Sequence, residues 1–286
     1  MTSGALTRST TVPWERVARL VALASIGAFA IANVVWTLQT WPMGDFGTYW
    51  TAAERIRDGG PLYVGDDPLH SYRYAPWFAW LWVPLTALPS EVVAVGWEVI
   101  LLAATAAAVL PLLNRYGWPL AALLGPLLFA VTAGGNVQAL MVCALLYGID
   151  RRSGPLWIAL AASLKATPLL LVGVHVARRE WGRVVLTLAL TAALVAPMAF
   201  YDLAPLTGRV AGVEPGLLAI SPVAFAAVGI ATAAVVAAFA MRRSKWTMLA
   251  ALAGSVVTLP RLFAYDVTIL LAVRSTSTDR KSPTGA

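Results

Sequence analysis

The chain has 286 residues, 59% of them hydrophobic and only 12% charged, with a mean hydropathy of +0.73. Soluble domains carry roughly 25% charged residues, so this sequence cannot cover a globular surface with polar groups and must use lipid as part of its solvent. The net charge of +7 is gathered in short clusters between apolar runs, the pattern of membrane loops, and not in the continuous basic stripe of a nucleic-acid binder. The single cysteine, Cys143, excludes an internal disulfide and a cysteine metal site.

These properties predict an all-α polytopic membrane protein with about 8–10 transmembrane or half-membrane helices. Residues 1–14 are small and polar and read as a disordered cytoplasmic N-terminus. Arg16 and Arg19 then precede an apolar run from Val17 to Trp41. That run of about 25 residues exceeds a ~30 Å hydrocarbon core and lacks a small-residue cleavage site. It reads as a signal-anchor helix whose basic flank keeps the N-terminus in the cytoplasm and places Asp45 outside. A single membrane domain, 15–273, follows, with a polar tail at 274–286.

The outer loop spans 42–75. Phe46, Tyr49, Trp50, Ala53 and Ile56 recur at helical spacing opposite Glu54, Arg55, Arg57 and Asp58, which predicts a short interfacial helix. Gly59-Gly60-Pro61 stops it, and Asp66-Asp67-Pro68 marks a turn. Tyr72, Tyr74, Trp77, Trp80 and Trp82 form an aromatic belt at the return to the bilayer. Apolar runs follow at 75–89, 92–113, 118–133, 137–149, 155–177, 184–200, 217–241 and 248–273, the last interrupted by Pro260-Arg261. The basic clusters at 151–152, 178–183 and 242–245 pose a parity problem. A single crossing by 155–177 puts Arg151-Arg152 outside, whereas a re-entrant pair of half-helices, each ~15 Å long, keeps it inside. Charge counting leaves both open.

Asp45 is a carboxylate just beyond a membrane helix, placed either as general base for an attacking hydroxyl or as N-cap of the interfacial helix. Lys165, in Ser163-Leu164-Lys165-Ala166-Thr167-Pro168, is an ammonium inside an apolar stretch beside a helix breaker. It reads as a phosphate ligand or as a lysine snorkelling to the interface. Arg73 and Arg261, beside prolines and aromatics, are further phosphate candidates or interfacial anchors. Asp266 pairs with Arg261 or ends a helix. Asn136 and Gln138, in a glycine-rich break, hydrogen-bond a sugar or pack helices. Tyr49, Tyr63, Tyr72 and Tyr74 complete the candidate substrate-binding set. His70 and His175 are too far apart to form a metal pair, so no metal and no cofactor are expected. No nucleotide-type glycine loop or nucleophile elbow is present in the sequence.

The order of these motifs carries a resemblance. Asp45 follows the first helix, then come Gly60-Pro61-Leu62-Tyr63, Tyr72-Arg73-Tyr74-Ala75-Pro76, Pro84-Leu85 and Leu88-Pro89. Gly135-Asn136-Val137-Gln138 and Leu164-Lys165-Ala166-Thr167-Pro168 lead to Arg178-Arg179-Glu180-Trp181. Across roughly residues 15–270 the chain resembles the polyprenol-phosphate-mannose-dependent mannosyltransferases of glycosyltransferase family 87, in the multi-spanning C superfamily. The resemblance implies a polyprenyl-phosphate sugar donor and a glycolipid or glycan acceptor. It implies a site on the outer face of the cytoplasmic membrane, and inverting transfer with Asp45 as base. Lys165 and Arg73 would be donor-phosphate candidates. The family's glycine–glutamine–asparagine element is altered here, with Asn136 and Gln138 placed differently. The apolar run after Asp266 is too short to cross a bilayer. A minimal member, a truncated and inactive one, or one completed by a partner subunit are all compatible with that ending. A non-enzymatic binder or transporter of lipid-linked sugars is the competing class.

Overall fold

A computed structural model describes residues 14–39, 44–65, 71–113, 118–207, 217–260 and 262–273, and all elements within them are helical. In chain order they are α1 (Trp14–Gln39), α2 (Gly44–Arg57), α3 (Pro76–Trp82), α4 (Ser90–Val109), α5 (Trp118–Thr132), α6 (Gln138–Gly148) and α7 (Gly154–Leu164). Then follow α8 (Val172–Ala177), α9 (Trp181–Val195), the single turns α10 (Ala204–Thr207) and α11 (Leu217–Ile220), α12 (Pro222–Met241) and α13 (Thr247–Val257). Stretches of 3-10 helix at Val83–Ala87, Leu110–Leu113, Thr167–Leu171, Ala196–Phe200 and Ala264–Ala272 extend or follow them. Residues 1–13 of the expected N-terminal segment 1–14, the turn Asp66-Asp67-Pro68, His70, Arg261 and the tail at 274–286 lie outside the described residues, while Trp14 opens α1.

Among the described residues, three helices are long and apolar enough to cross a membrane: Ser90–Leu113, Trp181–Phe200 and Pro222–Met241. The fold is therefore the polytopic helical one that composition predicts. Helices α6, α7 and α13 have 11 residues each, about 16 Å at 1.5 Å per residue, half a bilayer. Each starts or stops where its sequence carries a breaker. Gly134-Gly135 separates α5 from α6. Lys165 leaves α7 in an extended conformation ahead of Pro168, and α13 ends before Pro260.

The parity question is resolved by contacts at the foot of α7. Arg178 donates to Asp150 at 2.6 Å, and a Cβ built on Gly154 would lie 3.4 Å from the His175 ring. The start of α7 and the end of α8 are therefore neighbours, and residues 155–177 turn back at Lys165 instead of crossing. Helix α8 also packs on α12, where a Cβ on Gly173 would meet Val236 at 2.8 Å. Arg151-Arg152, Arg178–Arg183 and Arg242–Lys245 thus share one basic face, and the half-helices point their tips away from it.

Helix α2 is docked by its aromatic face. Phe46, Tyr49, Ala52 and Ala53 are buried. Tyr49 meets Phe78 edge-on at 4.9 Å, and Phe46 meets Trp82 at 5.6 Å. Trp97 of α4 stands 6.2 Å from Tyr49 and donates its indole N–H to the Gly135 carbonyl at 2.7 Å. The periodic apolar face is thus covered by α3 and α4. The first turn of α2 rests on the α5–α6 break, where the Asp45 N–H donates to the Gly134 carbonyl at 2.8 Å. Gly135 has φ +78, and a Cβ there would lie 2.9 Å from the Phe46 backbone nitrogen. Close approach and backbone conformation both demand glycine at this point.

Candidate active site

The tips of the half-helices meet beneath the first turn of α2. Asp45 is the second residue of that helix, inside the first turn. The positive end of the helix dipole favours its carboxylate. Its Oδ2 accepts from Asn136 Nδ2 at 2.9 Å. Asn136 is held from the other end as well, because its Oδ1 accepts the Gln138 backbone N–H at 2.8 Å and opens α6. The same break that allows α2 to approach therefore aims an amide donor at Asp45.

The network continues inward. Lys165 Nζ donates to Gln138 Oε1 at 3.0 Å and to Asp266 Oδ1 at 2.7 Å. It stands 5.0 Å from the centre of the Tyr265 ring, within cation–π range. Gln138 Nε2 donates to Thr268 Oγ1 at 3.3 Å, and Asp266 Oδ2 accepts the Phe263 N–H at 2.9 Å. The Lys165 side chain is 17% exposed and that of Asp266 3%, so neither charge is solvated by bulk water. The multiple hydrogen bonds are what make a buried pair tolerable.

Burial pushes the Asp45 carboxyl above its ordinary range. The Asn136 hydrogen bond and the nearby Lys165 charge act in the opposite direction. A raised carboxyl is better matched to proton abstraction near neutrality than an ordinary aspartate. Tyr49 and Tyr74 share a hydrogen bond of 3.3 Å beside it. Burial above all, with the Asp45 carboxylate adding to it, holds the Tyr49 and Tyr74 phenols above their usual range, so both remain neutral.

Two spaces adjoin the network. A cavity of about 10 Å³, room for about one water, lies against Gln138, Lys165, Ser255 and Asp266. An apolar cleft of about 520 Å³ runs between α3, α4, α6 and α7, lined by Trp77, Trp97, Met141, Tyr147, Trp157 and Leu164. Val137 and Leu164, sequence neighbours of Asn136 and Lys165, line it as well, and Arg151 borders it on the basic face.

The structure brings together Asp45, Tyr49, Tyr74, Asn136, Gln138 and Lys165. Tyr63 and Tyr72 are placed differently. Their hydroxyls donate to the Tyr74 and Ala75 carbonyls at 3.0 and 2.8 Å, bonds that shape the loop itself. Arg73 donates to Ser71 Oγ at 3.1 Å within the same loop. Asp266, read from sequence as a partner of Arg261 or a helix end, is the counter-ion of Lys165 and a full member of the site. The signal that could have found it is its position as a carboxylate in an apolar run, matching the ammonium in another.

Fold and site define a multi-spanning membrane protein with a polar centre built between half-helices. The family model of glycosyltransferase family 87 matches residues 72–205, which agrees with the family resemblance read from the motifs over that stretch. The match covers just under half of the chain; it contains Asn136, Gln138 and Lys165, whereas Asp45 and Asp266 lie on either side of it. No curated protein matches the chain, and no solved structure does.

Proposed function

We propose that this protein moves a hexose, mannose by family resemblance, from a polyprenyl-phosphate donor to a hydroxyl of a glycolipid or glycan, on the outer face of the cytoplasmic membrane. The acceptor oxygen attacks the anomeric carbon, and the bond from that carbon to the phosphate oxygen breaks. The polyprenyl phosphate leaves with the electron pair, and the hydroxyl proton passes to Asp45. Attack opposite the leaving group inverts the anomeric centre.

The observation that carries this reading is the Asp45 carboxylate, fixed by Asn136 and pushed upward by burial, in one network with an intramembrane ammonium. The apolar cleft beside that network supports a donor with a hydrocarbon chain, for which a soluble nucleotide sugar has no use. Lys165 is the phosphate ligand in this reading. A donor phosphate would use its third N–H or replace Gln138 or Asp266 as acceptor. Arg73 and Arg261 remain candidates for the same charge.

The test is direct. The purified protein in liposomes, given polyprenyl-phosphate mannose and a lipid extract, is expected to add the mass of one hexose to an extract component. Donor bound with one-to-one stoichiometry but no mass gain from any extract or glycan pool would favour a lipid-linked-sugar binder or transporter instead.

A further inference from the structure

Two turns on the basic face share one conformation. Helix α8 ends at Ala177 with Arg178 as its cap, and α12 ends at Met241 with Arg242 as its cap. After each, a second arginine takes a left-handed conformation, Arg179 at φ 56 and Arg243 at φ 52; these are the non-glycine residues with positive φ among those described. Each turn closes with the same pair of bonds. Arg179 and Glu180 donate to the Val176 and His175 carbonyls, and Arg243 and Ser244 donate to the Ala240 and Phe239 carbonyls. This is the Schellman ending, whose left-handed position is ordinarily glycine because a side chain there is strained. Arginine stands at that position twice.

Both turns adjoin the packing of α8 on α12, where a Cβ on Gly173 would also lie 3.8 Å from Thr247 and 3.9 Å from Ala240. Gly173 abuts Val236; Arg179 follows Gly173 by six residues, and Arg243 follows Val236 by seven. Neither arginine forms an ion pair among the described residues. Arg178 is bonded to Asp150, and Arg183 to Glu180. Arg179, Arg242 and Arg243 are exposed and form no ion pair among the described residues, and Lys245 lies over the Trp246 ring at 5.3 Å. Trp181 and Trp246, 59% and 53% exposed, flank the turns, as tryptophans do at a bilayer boundary. Two of the helices long enough to cross a membrane, those starting at Trp181 and ending at Met241, have their ends here.

We propose that Arg179 and Arg243, with Arg242 and Lys245 beside them, form a docking surface for the headgroups of anionic phospholipids in the leaflet at the basic face. The strained backbone persists because it projects two guanidinium groups past the ends of their helices, where phosphates of neighbouring lipids accept bidentate bonds. A merely topological role for these charges requires arginine somewhere in the loop. It does not require it at the one position where glycine is preferred.

The test compares thermal unfolding of the full chain in nanodiscs of phosphatidylcholine alone and of phosphatidylcholine with phosphatidylglycerol. The wild type is expected to melt higher with phosphatidylglycerol, by roughly 2–4 °C for each arginine that engages a headgroup, and high salt should remove the rise. Arg179→Gly/Arg243→Gly should melt at or above the wild type in phosphatidylcholine, because strain is relieved, yet lose most of the phosphatidylglycerol rise. Arg179→Gln/Arg243→Gln, which keeps the strain and removes the charge, should lose the same rise. Inorganic phosphate added to the phosphatidylcholine sample should leave the wild type unchanged. An equal rise in wild type and both variants overturns the proposal, as does a wild type indifferent to phosphatidylglycerol or one stabilised as well by free phosphate.

Discussion

The re-entrant hairpin formed by α7 and α8 carries charge at both ends, and the two ends obey different rules. At its tip, the Lys165 ammonium has acceptors at 2.7 and 3.0 Å and an aromatic ring beside it, and its counter-ion is 3% exposed. At its foot, Arg178 and Asp150 pair at 2.6 Å while roughly a third or more of each side chain remains exposed. The tip shows that a charge at membrane depth persists only inside a satisfied network. The foot shows that a charge at the boundary is cheap to keep and free to face lipid. Removing one partner should therefore be severe at the tip and mild at the foot.

The largest effect on stability is expected from Asp266→Ala, which leaves the Lys165 ammonium buried without a counter-ion. Breaking a buried pair in this way costs on the order of 3–5 kcal/mol, read as loss of folded protein in a detergent melt. Lys165→Met/Asp266→Asn removes both charges and keeps an acceptor for the Phe263 N–H, so it should regain most of that loss. Donor affinity measured on the double variant then separates the phosphate role of Lys165 from its structural role. A single variant as stable as the wild type would mean the pair is not desolvated as its geometry implies.

Gly135→Ala comes next. Its new methyl meets Phe46 at 2.9 Å in a backbone conformation alanine avoids, for a cost of about 1–3 kcal/mol. Because the strain lies where α2 rests on the α5–α6 break, protease cleavage of α2 should increase more than cleavage elsewhere.

Asn136→Ala acts on charge more than on packing. The Asn136 bond lowers the Asp45 carboxyl from where burial would put it, so its loss moves the proton affinity up. The base is active only when deprotonated, so the acid limb of kcat/KM should shift to higher pH, with transfer partly recovered in alkaline buffer. An unshifted limb with reduced activity would make Asn136 a sugar ligand in place of a positioning residue for Asp45.

Arg178→Ala, at the foot, completes the comparison with the smallest change. Half-exposed pairs contribute about 0–1 kcal/mol, and transfer activity should be unaltered.

Much of the scaffold is legible in the sequence. Gly59-Gly60, Gly134-Gly135, Pro168 and Pro260 mark where helices stop because glycine and proline act within a residue or two of themselves. The site is legible only in its members. Asp45 and Asn136 are 91 residues apart, and Lys165 and Asp266 are 101 apart; nothing local to either tells it which partner folding supplies. Asp266 was harder still, because an aspartate near a proline-interrupted run is equally a helix-end residue. Periodicity identified the apolar face of α2 and could not say whether lipid or Phe78, Trp82 and Trp97 would cover it. The return of 155–177 needed one contact, Asp150 with Arg178, that charge counting does not contain.

The central claim is that Asp45 takes the acceptor proton, and Asp45→Asn tests it most directly. Asparagine keeps an acceptor for Asn136 and nearly the shape of aspartate, but it is a poor base. Burial raises the Asp45 carboxyl in the folded state above its unfolded value, so ionised Asp45 lowers stability as pH rises through that interval and beyond it. Removing the charge should therefore leave the melting temperature at neutral pH equal to or above that of the wild type. Single-turnover transfer from polyprenyl-phosphate sugar should fall by about 10²–10⁴-fold while donor binding is retained. A well-folded Asp45→Asn variant that transfers sugar at near the wild-type rate would contradict the account.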